Sequence, residues 1–252
     1  AIVEELPPEA IVVMNQTAQN KFDPIQDVPA SIAFQYIGHT NTERQRIIVE
    51  DRSASLLVEK ALKMYNARAA STLSVVFHPG GAKNIFQEAV VLSRLNVLKT
   101  YLVLDGDQKK DIPAGKDVAE RDLDQVISDI TGVNVKNIKD LGFVADSGKE
   151  NELLTVEKKK FLDFLKSNCK FLPLNTPEEI LWKCSEKSPH TEIDESEKNA
   201  YKKAIADWAK EDIGGEVSAS DIFSYHKKLC NAIPESDAIM QEIITIIKQI
   251  VG

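Results

Sequence analysis

The sequence predicts an α/β fold: a doubly wound parallel sheet with helical material added to it. Three observations carry this. Arg46-Ile-Ile-Val-Glu50-Asp51, Thr72-Leu-Ser-Val-Val-Phe77 and Thr100-Tyr-Leu-Val-Leu-Asp105-Gly106-Asp107 are short, nearly continuous apolar runs, the pattern of strands buried on both faces. Helical periodicity fills the intervals between them, so strand and helix alternate from 46 to 105, as a parallel sheet requires. The first and third runs end in carboxylates, at the edge of an open α/β sheet where ligands usually bind.

The elements follow in order. Residues 1–45 read as a lead-in segment, with Ala10–Met14 and Ser31–Ile37 each a strand or short helix and loop around Pro24 and Pro29. The first strand spans 46–50. Ser53 is placed to cap a helix running to about Asn66, with Ala54, Leu57, Val58, Ala61, Leu62 and Tyr65 on one face. After strand 72–77, His78-Pro-Gly80-Gly81 forms a tight turn into a helix from Ile85 to Asn96, and strand 100–105 follows. Helices are expected over 117–130, stopped by Gly132, and over 155–168. Cys169–Leu174 reads as a last strand, at an edge because of Pro173. Helices at about 176–187, 195–213, 218–232 and 235–250 finish the chain, the last with a wide isoleucine stripe.

Composition narrows the class. Across 252 residues, 43% hydrophobic and 28% charged side chains are ordinary globular values. No apolar stretch approaches the roughly 20 residues of a membrane span, and the first residues do not form a signal peptide. Three cysteines without a CxxC pair point to free thiols and a cytoplasmic setting. The absence of an initiator Met leads us to expect a piece of a longer chain. A net charge of −8 argues against simple polyanion binding, although a metal cluster or a local basic face overcomes an average. Aromatics are few at 6%, so no base-stacking platform is evident.

The carboxylates carry the chemistry. Neighbouring strands ending at 50 and 105 would bring Glu50, Asp105 and Asp107 within a few ångströms of one another. Like charges about 4 Å apart repel by roughly 4 kcal/mol at an effective dielectric near 20. Hard divalent cations bound by oxygen are the usual compensation. The competing reading makes Asp105-Gly106-Asp107 a plain turn, since Asp-Gly pairs favour turns.

The succession of strand-end Glu50, Gly-containing turn at His78-Pro-Gly-Gly-Ala-Lys-Asn-Ile85 and strand-end Asp105-Gly106-Asp107 resembles a Toprim domain. With the helical material that follows, it resembles more narrowly the nuclease half of the OLD (overcoming-lysogenization-defect) family, in which an ABC-type ATPase domain precedes a Toprim domain carrying a helical insertion. The resemblance covers 46–107 well and the remainder loosely. It implies a Toprim core at 46–110, a helical insertion at 111–168, and a last Toprim strand with C-terminal helices at 169–252. Leu6-Pro-Pro-Glu-Ala-Ile-Val-Val resembles the exit from the ATPase core. No GxxxxGK[ST] loop occurs, so an ATP site would lie upstream or on a partner chain.

The resemblance further implies that Glu50, Asp105 and Asp107 hold one or two Mg2+ or Mn2+ ions for hydrolysis of DNA phosphodiesters, in phage defence or DNA repair. An ATPase domain or partner would gate a homodimer or higher oligomer. Gly106 would keep a side chain from crowding the ions. The family uses a further carboxylate after the insertion, for which Glu178 is the candidate. Thr176, Pro177 and Glu179 compose a capping box that occupies Glu179, and helix-start preference alone would also account for both glutamates. The second acid that many relatives carry a few residues after the strand-end glutamate is missing after Glu50; either the adjacent Asp51 substitutes for it or the second metal is held differently. The family's late lysine corresponds to Lys227 or Lys228, with Lys228 the candidate catalytic residue; a solvated lysine is the plain alternative.

Other residues read as ordinary. His78 suits a loop without catalytic duty, Lys83 a solvated helix start, and Cys169, Cys184 and Cys230 a buried apolar role. His39, His190 and His226 lack metal-ligand spacing to one another. Two rival functions remain at this level: a Toprim fold that has lost catalysis and serves assembly, and a phospho-receiver domain built on Glu50, Asp51 and Asp105. The receiver leaves Asp107 and the downstream helices unexplained. Topoisomerase and primase activities stay open within the Toprim class, but no tyrosine nucleophile context is apparent.

Overall fold

Four short strands, apolar at almost every central position, pair into one sheet. β3 (Arg46–Val49), β4 (Ser74–Phe77), β5 (Thr100–Leu104) and β6 (Cys169–Phe171) are all parallel, in the order β4-β3-β5-β6. The computed structural model describes residues 13–18, 21–25, 45–67, 70, 73–78, 80–95, 97, 99–143, 150–197 and 199–251. The chain divides into two units, residues 1–44 and 45–252. The first contains an antiparallel hairpin of β1 (Val13–Ala18) and β2 (Lys21–Ile25). Pro24, expected in a loop, sits in β2 opposite Met14; a two-stranded sheet has only edge strands, which tolerate proline. Ser31–Ile37 lies outside the described residues.

Side chains alternate across the parallel sheet with period two. Ile47, Val49 and Val103 enter one hydrophobic cluster, and Ile48, Leu102 and Leu104 enter another on the opposite face. The first cluster is completed by α1 (Arg52–Tyr65), α5 (Pro177–Cys184), α6 (Ala200–Ile213), α7 (Ala219–Asn231) and α8 (Ala238–Val251). The second is completed by α2 (Gly81–Arg94), α3 (Leu123–Thr131) and α4 (Glu150–Asn168). Helices cover both faces of β3 and β5, so the side chains of these strands have no wet side to be polar for; β4, expected to be buried on both faces, is an edge strand with Val76 and Phe77 exposed. Each fully buried Ile or Leu here contributes about 1.5–3 kcal/mol.

The predicted stripe of α1 is buried at Ala54, Leu57, Val58, Ala61 and Leu62. Boundaries differ in instructive places. α2 starts at Gly81 rather than Ile85, because Gly80 takes the left-handed conformation (φ 112°) that turns the chain directly into the helix. The helix expected over 117–130 begins as 3-10 turns at Gly115–Asp117 and Glu120–Asp122, with α3 only from Leu123 and Gly132 at its C-cap. The last strand is confined to Cys169–Phe171, at the sheet edge. Among the described residues no helix is long and apolar enough to cross a membrane.

Strand order places the site. From β3 the chain passes through α1 to β4 on one side, then through α2 to β5 on the other side of β3. The carboxyl ends of β3 and β5 therefore flank a topological switch point, where the diverging connections leave a crevice. Glu50 follows one strand and Asp105 the other.

Candidate metal centre

Glu50 reaches across the crevice. Its Oε1 accepts the Asp105 N–H at 2.9 Å, so residues 55 apart in sequence meet at one sheet edge. The Asp105-Gly106-Asp107 loop is in turn held by the segment leading into α5. Leu172 N donates to Leu104 O at 2.8 Å, Gly106 N to Leu174 O at 3.1 Å and Asp107 N to Asn175 O at 3.2 Å. A Cβ at Gly106 would lie 2.2 Å from Leu174 O and 2.7 Å from Leu172 O. Glycine is thus required by backbone approach, a different reason from the ion crowding the sequence suggests. Gly106→Ala is expected to destabilise the fold by about 1–3 kcal/mol, read by urea denaturation. An unchanged midpoint would show that the 172–175 segment yields freely.

Asp51 supplies the N-cap of α1, its Oδ1 accepting the Ala54 N–H at 2.8 Å. This corrects the expectation that Ser53 caps the helix: the acid two residues earlier has the extended backbone a cap needs. Ser53, 4% exposed, is released for another task. Its hydroxyl donates to Glu178 Oε1 at 3.1 Å and lies 2.8 Å from His226 Nδ1. A hydroxyl has one proton, so with Ser53 donating to Glu178 the His226 Nδ1–H donates to Ser53. Nε2 then carries the bare lone pair, and it is buried without a hydrogen-bond partner.

The two glutamates of α5 divide as the cap pattern implies. Thr176 accepts from Glu179 N at 3.2 Å. Glu179 accepts from Asn175 N at 3.1 Å and from Lys183 Nζ at 2.8 Å, one residue further back than a standard capping box. Glu179 is therefore structural, and Glu178 faces Ser53. Asp107, exposed, accepts from Gln108 Nε2 at 3.1 Å.

Electrostatics mark the cluster. Burial pushes the Asp105 carboxyl up to about 9, reinforced by the charges of Glu50, Asp51, Asp107 and Glu178. Asp105 Oδ1 is buried and has no hydrogen-bond partner among the described residues. Burial also raises Glu50, with Asp107 and Asp51 adding to the rise and the N–H groups of Asp105 and Ala82 opposing it. Glu178 is raised by burial and by Asp51, while the Ser53 bond and Lys202 hold it back. Four neighbouring acids thus act on Asp105 at the switch point. Among the described residues no three of His, Cys, Asp or Glu stand at metal-ligand geometry around one point; Glu50 and Asp51 each have an oxygen committed to a backbone N–H.

Lys228 departs from the sequence expectation. Its Nζ sits 3.6 Å from Asp212 and packs over the rings of Trp208 and Tyr225, at 4.7 and 5.0 Å from their centroids. Two residues along a helix is a rotation of about 200°, which turns Lys228 away from the face that carries His226. The exposed Lys202 of α6 is the lysine whose charge acts on both Glu178 and His226. His78 pairs with Glu88 at 3.4 Å, Lys83 is exposed, and the three cysteines are buried free thiols.

Sequence reasoning missed the Ser53–His226–Glu178 connection. One signal was available: His226 falls on the apolar stripe formed by Tyr225, Leu229 and Cys230, all buried. Removing the ring leaves the buried Ser53 oxygen without the N–H it accepts from, a cost of about 1–3 kcal/mol. His226→Ala is expected to lose that much stability in urea. His226→Asn, whose amide occupies the Nδ1 position, recovers most of it. Equal losses in both variants would show that ring packing, not the Ser53 bond, holds the site.

No family model, curated protein or solved structure matches the chain, so a functional reading rests on the residues and their placement.

Proposed function

We propose that this chain is the Toprim-type nuclease region of an OLD-like protein, hydrolysing DNA phosphodiesters with Mg2+ or Mn2+. The observation that carries the reading is the meeting of Glu50 with the Asp105-Gly106-Asp107 loop at the switch point of a parallel sheet. A receiver-type phosphoacceptor needs one exposed aspartate. An aspartate raised by four neighbouring acids suits a multivalent cation better.

The residues fit such an ion. Carboxylate oxygens are the donors Mg2+ and Mn2+ prefer, and Asp105 offers a buried oxygen without a hydrogen-bond donor. Glu50, Asp105 and Asp107 would hold it, with Asp51 and Glu178 as the further acids. When bound, the ion supplies charge for the scissile phosphate and acidifies a water. The protein does the rest. The clamp to residues 172–175 holds the aspartates, Ser53 and His226 orient Glu178, and Lys202, whose charge acts on Glu178 and His226, is the cation we propose for a phosphate oxygen in place of Lys228. Gating by an ATPase domain or partner, and assembly as a dimer or larger oligomer, belong to the same proposal.

Nicking of supercoiled plasmid by the purified chain tests it, with Mn2+ or Mg2+ against EDTA. The expected result is open-circular product that requires the metal. Intact plasmid under both metals and at several enzyme concentrations would end the nuclease reading.

A further inference from the structure

Beside the carboxylates lies a second feature, aromatic and cationic. Phe77 ends β4 in register with Val49, the residue before Glu50. The Arg52 guanidinium, next in sequence to Asp51, lies 5.1 Å from the Phe77 ring centroid and 5.8 Å from that of Phe223 on α7. Lys227 Nζ is 4.9 Å from the Phe223 ring. The Phe223 ring meets the His226 ring edge-on at 6.4 Å, which ties this group to the carboxylate centre through Ser53. Phe77 is 36% exposed and Val76 46%, and Arg52 and Lys227 are exposed.

We propose that Arg52, Phe77 and Phe223 form a docking platform for unpaired nucleotides of single-stranded DNA flanking the scissile phosphate. It rests on the nuclease reading above and names the substrate that reading leaves open. Exposed cation–aromatic contacts stabilise the protein by only about 0.5–1 kcal/mol each, a small return for exposing a phenylalanine at a strand end. The same groups match a nucleic-acid strand. A guanidinium forks onto phosphate oxygens and stacks its plane on a base, while aromatic rings stack on bases whatever their sequence. Two cations gathered here, in a chain of net charge −8, offset locally the field of the neighbouring acids. A base inside a duplex has both faces covered by its neighbours, so the rings select nucleotides that are unpaired or at an end. The few aromatics of the composition do not reveal this, because Phe77 and Phe223 come to share Arg52 only through the packing of α1 against both β4 and α7.

Fluorescence anisotropy in EDTA, with the full 252-residue chain, tests the platform without any cleavage. The probes are a labelled oligothymidine strand and a blunt duplex of equal length. The single strand is expected to bind about 10-fold tighter than the duplex. Arg52→Lys, which keeps the charge and loses the plane, and Phe77→Leu, which keeps apolar bulk and loses the ring, are each expected to weaken single-strand binding by about 5- to 100-fold. Circular dichroism confirms that both variants are folded. Equal affinity for strand and duplex, or wild-type affinity in both variants, overturns the platform. Binding is read without metal and cleavage with it, so single-strand binding in EDTA together with no nicking in the Mn2+ or Mg2+ plasmid assay would end the nuclease reading and leave the platform standing. Nicking with unaffected variants would do the reverse.

Discussion

Asp105→Ala is expected to abolish metal-dependent nicking, with a loss of at least about 1000-fold in rate, since a bound divalent ion contributes several kcal/mol to phosphodiester hydrolysis. Asp105 is the centre of the cluster: it receives the fields of Glu50, Asp51, Asp107 and Glu178 and presents a buried oxygen without a hydrogen-bond partner among the described residues. Its removal takes away the carboxylate on which the other four acids act. Lys228→Ala is the informative companion. The sequence resemblance makes Lys228 catalytic, whereas its contacts with Asp212, Trp208 and Tyr225 place it on another face of α7. That variant is expected to nick at close to the wild-type rate, and Lys202→Ala to be impaired. Gel-based time courses at saturating Mn2+ measure all three. Retained activity in Asp105→Ala would disconnect the acidic cluster from catalysis.

Asp105→Asn is expected to stabilise the metal-free protein, against the ordinary trend that substitutions destabilise. The sign follows from the protonation of Asp105. In the unfolded chain its carboxyl titrates near pH 3.9; in the fold, burial and four neighbouring acids push it up to about 9. Between those values the unfolded chain has released a proton that the folded chain retains. Stability therefore falls as pH rises through this window, at up to about 1.4 kcal/mol per pH unit. It is fully present below about pH 4. This is the reverse of a salt-bridged aspartate, which stabilises at neutral pH and fails in acid. An amide has no proton to lose in either state, so the variant escapes this pH-dependent cost. For a chain of this size a gain of 2 kcal/mol raises Tm by roughly 4–8 °C. Thermal melts in EDTA at pH 8 make the comparison, and the gap between variant and wild type narrows toward pH 4. Mn2+ reverses the order, because an ion at 100 times its Kd adds about 2.7 kcal/mol to the wild type. A variant that melts at or below the wild type in EDTA would show that Asp105 is not crowded.

Much of the architecture is determined by local pattern. The apolar runs at 46–49 and 100–104 become buried strands, because a strand covered on both faces has no polar position to display; the run at 74–77, which reads the same way, becomes an edge strand that leaves Val76 and Phe77 exposed. The helical stripe from Ala54 to Leu62 and the isoleucines of α8 are equally local, set by a period of about 3.6 residues. The Glu50 and Asp105-Gly106-Asp107 carboxylates, read as strand ends, do occupy the ends of β3 and β5.

Only the tertiary structure decided which distant groups share a site. Strand order sends β5 to the far side of β3 from β4, and this crossover, invisible in any window of sequence, opens the crevice where Glu50 meets Asp105. Asp51 rather than Ser53 caps α1, which frees the Ser53 hydroxyl for partners 125 and 173 residues away. Gly106 is demanded by carbonyls of residues 172 and 174, and Lys228 is turned toward Asp212 by the rotation of its helix. Periodicity records which face of an element is buried. What that face is buried against is settled by the packing of whole elements, and there a hydrogen bond or a few ångströms of backbone approach chooses among residues that look equivalent along the chain.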